Sequence, residues 1–331
     1  MVQHIDVLVV GAGLSGLMAA RTLIERDLRV LVLDKGASVG GRMATRRIGE
    51  GLADHGAQFF TVRSPEFRAM VDRWLESGLV FEWSRGWSDG SLAHTSDGHP
   101  RYAVAGGMNA LAKQLAIGVE TRTRVHLVEV RRTPDGWIVS DEAGTTQRAR
   151  AVVLTPPVPQ SLALLDRGGV TLPATIRASL DSIQYEPCLT AMFHIEGDAI
   201  LPAPGAIQRP HAPIFWMADN RRKGISQGVT IITMQGNPAY SRQLFDLEDD
   251  DVLKSFRVGL MPFLDENARI IEGQLKRWRY SMPALLYPEP YVLVDAGAPL
   301  IFAGDAFGGP RVEGAVLSGL AAGQALAEAL R

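Results

Sequence analysis

The sequence predicts an α/β fold in two domains. One is built on a parallel sheet and assembled from separated stretches of chain; the other is α+β on a mainly antiparallel sheet. Three observations predict this. Residues 5–34 read as strand, glycine turn, helix, strand and acidic residue. Near the other end, at 300–305, an apolar strand runs into a Gly-Asp pair and then a long helical pattern. Between them lie apolar strands such as Leu189–Ile195 and Val229–Met234, and a helix with an acidic start after Asp246.

Composition sets the limits. At 331 residues the chain has room for about two domains of roughly 150 residues each. With 46% hydrophobic and 21% charged residues it can bury a core. The balance of 34 Lys+Arg against 36 Asp+Glu, without a basic run, argues against nucleic acid or an acidic membrane as partner. The single cysteine, Cys188, excludes an internal disulfide framework and fits a reducing compartment. It reads as a small buried hydrophobe. The seven histidines show no paired metal-ligand spacing, so no metal site is expected. The first apolar run, Ile5–Val10, is too short to span a membrane, and no basic leader with a cleavage site precedes it. A cytoplasmic protein is the expectation. The 34 glycines exceed an average near 7%, and they cluster.

The first cluster is Gly11-Ala12-Gly13-Leu14-Ser15-Gly16, placed between strand Ile5–Val10 and a helix running to about Glu25. Gly11 allows the tight turn, Gly13 admits a pyrophosphate to the backbone, and Gly16 lets helix and strand approach. The helix N-terminus adds unpaired N–H groups and a partial positive charge. A second strand, Val30–Leu33, stops at Asp34, placed to accept hydrogen bonds from ribose hydroxyls. This is a Rossmann-like dinucleotide site, with Lys35 beside the carboxylate.

Gly40-Gly41-Arg42-Met43 follows, where backbone and a guanidinium could reach the same pyrophosphate. After a turn at Gly49–Gly51 comes Asp54-His55-Gly56-Ala57-Gln58-Phe59-Phe60. Its small residues, Gly56 and Ala57, would let a flat ring lie against the backbone. Gly106-Gly107-Met108 opens a helix, Asn109–Ala116, leading to a strand at Val125–Val130. Strand Ala151–Leu154 ends in Thr155-Pro156-Pro157. Strand Leu300–Ala303 runs into Gly304-Asp305, then Arg311-Val312-Glu313-Gly314-Ala315 and the last helix.

These segments, in this order, resemble the renalase-like branch of the flavin amine oxidase superfamily. The resemblance rests on GAGLSG at 11–16, DKGASVGGRM at 34–43 and ADHGAQFF at 53–60, with LTPPVPQ at 154–160, KRWRYSMPA at 276–284 and AGDAFGGPRVEGAVLSG at 303–319. It implies FAD; no cysteine lies near the C-terminus to hold the flavin through a thioether, so binding there is expected to be non-covalent. Its ligands would be residues 11–16, Asp34, Lys35, Gly41, Arg42, Met43, Gly56, Ala57, Gln58, Phe59, Thr155, Gly304, Asp305 and 311–315. Val125 would read adenine through its backbone amide and carbonyl, and the dipole of the last helix would face the flavin's N1 side. His55 departs from the small or apolar residue expected there, and the region 160–270 matches only loosely.

Because the motifs come from both ends, the resemblance implies a discontinuous FAD domain, 1–65, 102–158 and 277–331. Residues 66–101 and 159–276 would form the substrate domain. Gln58, Phe60, Trp216, Trp278 and Tyr280 are the substrate-facing candidates, with Trp83, Trp87 and Tyr240 as further aromatic walls. The implied reaction is oxidation of the 1,2- and 1,6-dihydro isomers of NAD(P)H, with dioxygen as electron acceptor and hydrogen peroxide as product. An oxidase or desaturase acting on an amine or apolar molecule, and an FAD-binding protein without turnover, are the alternatives.

Overall fold

Ile5–Val10 pairs in parallel on both flanks, with Thr146–Leu154 on one side and Val30–Leu33 on the other. A strand enclosed in this way needs the apolar, β-branched run that the sequence supplies. In the computed structural model, which describes residues 5–91 and 96–331, the chain divides into two units. The first comprises the stretch up to Gly41, Ala112–Tyr185 and Met282–Arg331; the second comprises Arg42–Leu111 and Glu186–Ser281.

The first unit contains an eight-stranded sheet whose main path runs Val292–Asp295, Pro299–Phe302, Thr146–Leu154, Ile5–Val10, Val30–Leu33, Thr121–Arg122. The last five of these strands are mutually parallel, and Val292–Asp295 is an antiparallel edge. The register decides where the chemistry goes. Val10 lies opposite both Leu33 and Leu154, and Leu154 lies opposite Phe302. Four strands therefore finish level, and Gly11, Asp34, Thr155 and Ala303 all leave from one carboxyl edge, the ligand-binding edge of open α/β sheets. Helix Leu14–Ile24 packs on the long helix Arg311–Ala329 through glycines. A Cβ on Gly319 would stand 2.2 Å from Ser15 O, and one on Gly323 would stand 2.7 Å from Thr22 Cβ.

The second unit carries a five-stranded sheet in the order Ala206–Gln208, Ile214–Asp219, Thr230–Gly236, Tyr185–Glu196, Arg269–Pro283. Its first four strands pair antiparallel. Helix Asp249–Leu260 buries Val252, Phe256 and Leu260 with Leu189, Phe193, Ile232 and Met234 of this sheet. Three aspartates open that helix, where the N-terminal dipole favours them. The hairpin Thr45–Ile48/Gly51–Asp54 belongs here too, because Ile48 and Ala53 pack with Met192 and Ile231.

The unit boundaries differ from those drawn on the sequence. The first unit's opening stretch ends at Gly41, not at residue 65, because the following hairpin buries its apolar face in the second unit. Helices Val158–Arg167 and Ala174–Asp181 join the first unit, since Leu162, Leu165 and Leu180 belong to the parallel-sheet core. Most of strand Arg269–Pro283 lies in the antiparallel sheet. Val125 lies outside regular structure, in the gap between Thr121–Arg122 and Leu127–Thr133.

Candidate flavin site

In the first unit the glycine turn is closed by its own backbone. Gly11 has φ +100°, and a Cβ there would meet Thr155 Oγ1 at 2.5 Å. A Cβ on Gly16 would stand 1.9 Å from Gly11 O. Thr155 clamps the turn, its Oγ1 donating to Val10 O at 2.8 Å. Asp34 closes it from the other side: one carboxylate oxygen accepts the Ala12 N–H and the other the Gly36 N–H, both at 2.6 Å. The Gly40 N–H donates to Ala12 O at 2.8 Å, so the second glycine pair abuts the first turn.

The cradle fits an anion. Helix Leu14–Ile24 has no side-chain cap and no acidic residue in its first turn, which leaves its first N–H groups without a side-chain acceptor. Ser15 Oγ is buried there without a hydrogen-bond partner. Gly13 has no atom within 4 Å of where a Cβ would stand, so this is the open side of the turn. A diphosphate would fill that gap and accept from Ser15.

At the same sheet edge, Gly304 donates its N–H to Ser318 Oγ at 2.8 Å, and Asp305 is buried. Helix Arg311–Ala329 starts without a side-chain cap, and Arg311 takes φ +71°, a left-handed conformation that costs a non-glycine residue about 1–3 kcal/mol. Gly314 stands against Gly309, where a Cβ would lie 1.8 Å from the carbonyl oxygen. Val312 is buried, Glu313 and Ala315 half-buried.

Two expectations need correcting in this unit. The Val125 N–H donates to Asp34 O at 2.9 Å, so only its carbonyl can serve an adenine. The Lys35 ammonium reaches the half-buried Gln160 side chain at 3.3 Å and not the glycine turn.

In the second unit, residues 54–60 form a tightly bonded element. A Cβ on Gly56 would meet Arg42 O at 1.9 Å, and the Ala57 N–H donates to that same carbonyl at 2.8 Å. Arg42 also donates from Nη1 to Ser281 O at 3.3 Å, and Met43 is buried. Gln58 folds back, its Nε2 donating to Asp54 O at 2.7 Å and to Gly56 O at 3.1 Å. His55 stacks on Trp278, with ring centroids 5.4 Å apart and an 18° interplanar angle, while Trp278 Nε1 donates to His55 O at 2.8 Å. His55 Nδ1 and Gln58 Oε1 are buried without partners, two polar atoms that a bound heterocycle would satisfy. Burial, reinforced by the positive charges of Arg46 and Lys276, lowers the His55 pKa to about 3.

The aromatic candidates separate. Trp278 and Tyr280 remain half-buried on strand Arg269–Pro283. Phe60 does not face a substrate: it is packed against Phe67 and Tyr102. Trp216 is buried among Trp83, Trp87 and Phe59, which makes it core. Cys188 is buried, and desolvation pushes its thiol up to about 12, far from a reactive thiolate. No helix among the described residues is long and apolar enough to cross a membrane, and no cluster of metal-ligating side chains occurs among them.

Sequence reasoning missed a set of residues holding element 54–60 from the antiparallel sheet: Asn220, Lys223, Thr233 and Gln235. One signal was present. Asp219-Asn220-Arg221-Arg222-Lys223 is a polar run joining two apolar strands, and Thr233 and Gln235 share one face of the second strand.

Residues 82–327 match the flavin containing amine oxidoreductase family, and residues 9–74 match an NAD(P)-binding Rossmann-like domain. The chain belongs to the flavin-containing amine oxidoreductase family and is an FAD-dependent oxidoreductase. It is 24% identical to renalase of Mus musculus over 298 residues, covering 83% of this chain and 84% of that one. Similarity to putrescine oxidase of Kocuria rosea is higher but shorter, 32% over 115 residues, covering 35% of this chain and 23% of that enzyme. The solved structure of a putrescine oxidase bound to putrescine shares the fold, with a TM-score of 0.73 at 16% identity, covering 98% of this chain and 99% of that one.

Proposed function

We propose that this protein is a renalase-like oxidase of the 1,2- and 1,6-dihydro isomers of NAD(P)H. The observation that carries this reading is the likeness to a renalase along most of both chains, where the sequence likeness to putrescine oxidase covers only 35% of this chain. When bound, FAD would supply the two-electron acceptor for the hydride, with dioxygen as the final oxidant and hydrogen peroxide as the product. The protein's own work is positioning. The free N–H groups of the first turn and Ser15 Oγ hold the diphosphate, and Asp34, braced by two backbone amides, is set for ribose hydroxyls. By the resemblance residues 54–60 would meet the ring system, and within the second unit they leave His55 Nδ1 and Gln58 Oε1 without partners. The single cysteine, Cys188, is buried with its thiol pushed up to about 12, and none lies in the 303–319 motif, so a thioether to the cofactor would not form there.

Hydride loss from a misreduced dihydropyridine restores ring aromaticity and requires no general base. That agrees with His55 being a weak proton acceptor, its pKa lowered to about 3, and with the Asp54 carboxylate being taken up by Lys223, Met108 N–H and Thr45. Rapid mixing of the oxidised holoprotein with the two isomers tests the reading. The flavin's visible band should bleach far faster than with ordinary NADH; equal rates would overturn it. A second reading, oxidation of a small amine, draws on the whole-chain fold likeness to putrescine oxidase. Bleaching by an amine panel, with no response to dihydronicotinamides, would establish that reading instead.

A further inference from the structure

Lys223 is the one lysine or arginine among the described residues that is buried, and its side chain is 0% exposed. A cation is expensive to strip of water, so its partners matter. Nζ donates to Asp54 Oδ2 at 2.6 Å and to Gln58 O at 2.5 Å, and lies 4.8 Å from the Trp83 ring centroid. These two oxygens open and close the segment Asp54–Gln58, so one ammonium ties both of its ends.

Further side chains from the same sheet region complete the grip. The Asp54 N–H donates to Asn220 Oδ1 at 3.2 Å, and Thr233 Oγ1 donates to Asp54 O at 2.9 Å. Gln235 Nε2 donates to Gly56 O at 2.8 Å. Asp54 is held on its far side as well, its other carboxylate oxygen accepting from the Met108 N–H at 2.8 Å and from Thr45 Oγ1 at 2.5 Å. Hydrogen bonds are directional where apolar contacts are not, and an interior of low dielectric strengthens them. A loop fixed at three carbonyls and one carboxylate cannot slide as a packed apolar loop could. Desolvation lowers the Lys223 pKa while the Asp54 carboxylate opposes it, so the pair depends on both members.

We propose that Lys223 is a positioning residue for the flavin: by bridging Asp54 and Gln58 it sets where element 54–60 presents its polar atoms to the ring. The inference rests on reading that element as a flavin contact. Misplacement of a positioning group by about 1 Å costs on the order of 100-fold in rate, and it also alters the flavin's own properties without any substrate.

The test uses FAD-loaded protein and three measurements: the visible spectrum, the two-electron midpoint potential and the melting temperature. Lys223→Met should lower the melting temperature and change the ratio of affinities for oxidised and reduced flavin about tenfold, a shift of about 30 mV. The double variant Asp54→Asn/Lys223→Met removes both charges and should recover most of the melting temperature, because no unpaired ion stays buried. Its potential should remain displaced, because Gln58 O still lacks its donor. Gln235→Leu, a milder change, should displace the potential in the same direction by less. If the double variant restores both melting temperature and potential, the pair is merely structural and the proposal falls. It falls equally if Lys223→Met leaves the potential and spectrum unchanged. Gln58→Leu separates the two levels. If it displaces the potential while the Lys223 variants do not, only the positioning role is lost; if neither does, the flavin-contact reading has failed and takes the proposal with it.

Discussion

The acid response of His55 can be worked out from its surroundings. The ring is 6% exposed, stacked on Trp278, and leaves Nδ1 without a partner. Protonation would place a cation in a desolvated site near Arg46 and Lys276, which is why the pKa falls from 6.5 to about 3. In the unfolded chain the imidazole titrates near 6.5. Between these two values the unfolded state binds the proton and the folded state does not. Folding stability is therefore undiminished above about pH 6.5 and is lost progressively as pH falls toward about 3. Integrated from about pH 7 to about pH 5, the loss attributable to this one residue is about 2 kcal/mol.

The measurement compares wild type with His55→Phe, which keeps an aromatic ring over Trp278 but cannot protonate. Urea unfolding across that pH range contains the carboxylate contributions in both proteins, so they cancel in the difference. Wild type should lose about 2 kcal/mol more than the variant on acidification. An independent check is the carbon NMR titration of histidine labelled at Cε1, in which the resonance absent from His55→Phe should hold its neutral position through about pH 5. Parallel stability profiles, or a His55 resonance titrating near its ordinary value, would refute the argument.

The glycine turn yields two contrasting outcomes. Gly16→Ala drives a Cβ to 1.9 Å from Gly11 O and should lower the melting temperature of the FAD-free protein and, through that, leave purified protein with little FAD, read from the ratio of visible to ultraviolet absorbance. Gly13→Ala meets nothing within 4 Å, so it should leave the melting temperature of the FAD-free protein within a degree or two (about 0.5–1 kcal/mol) while weakening FAD binding in a fluorescence titration. Gly319→Ala pushes a Cβ to 2.2 Å from Ser15 O and should cost about 1–3 kcal/mol by overpacking, seen as a lowered melting temperature. Ser64→Ala removes the N-cap that accepts the Phe67 N–H at 3.2 Å and should cost about 1 kcal/mol in urea unfolding.

What the sequence made legible was local. Strand Ile5–Val10, the turn, the helix and Asp34 lie within thirty-odd positions, and each is dictated by a near-neighbour requirement: burial on both faces, a positive φ, a helix start, a carboxylate at a strand end. The Gly-Asp pair at 304–305 was legible for the same reason. What was hidden depends on distant partners. Lys223 meets Asp54 across 169 positions, and nothing about a lysine in a polar run says that it will be buried. Trp216 and Phe60 carry the composition of substrate walls and the environment of core, a distinction set by Trp83, Trp87, Phe67 and Tyr102 packing around them. Val125 has an adenine-reading position by resemblance, yet its amide is drawn to Asp34 O, because both chain segments leave neighbouring parallel strands at one edge.

The clustered glycines acquire a different meaning from this geometry. Gly16, Gly56 and Gly314 sit in three motifs assigned to the cofactor, yet at each the obstacle to a side chain is a carbonyl oxygen of the protein: Gly11 O, Arg42 O and Gly309 O, all within 2 Å of the missing Cβ. They let one stretch of backbone close upon another. Gly13 is the contrasting case, open to at least 4 Å, and it lies beside the unpartnered Ser15 hydroxyl. A family motif rich in glycine thus mixes two demands, loop closure and ligand approach, which have the same residue type and different energetics. Closure glycines act on folding and affect the cofactor through it, whereas an approach glycine acts on binding alone. The separation between Gly16 and Gly13 variants, in stability on one side and affinity on the other, follows from that distinction and from no property of the sequence motif itself.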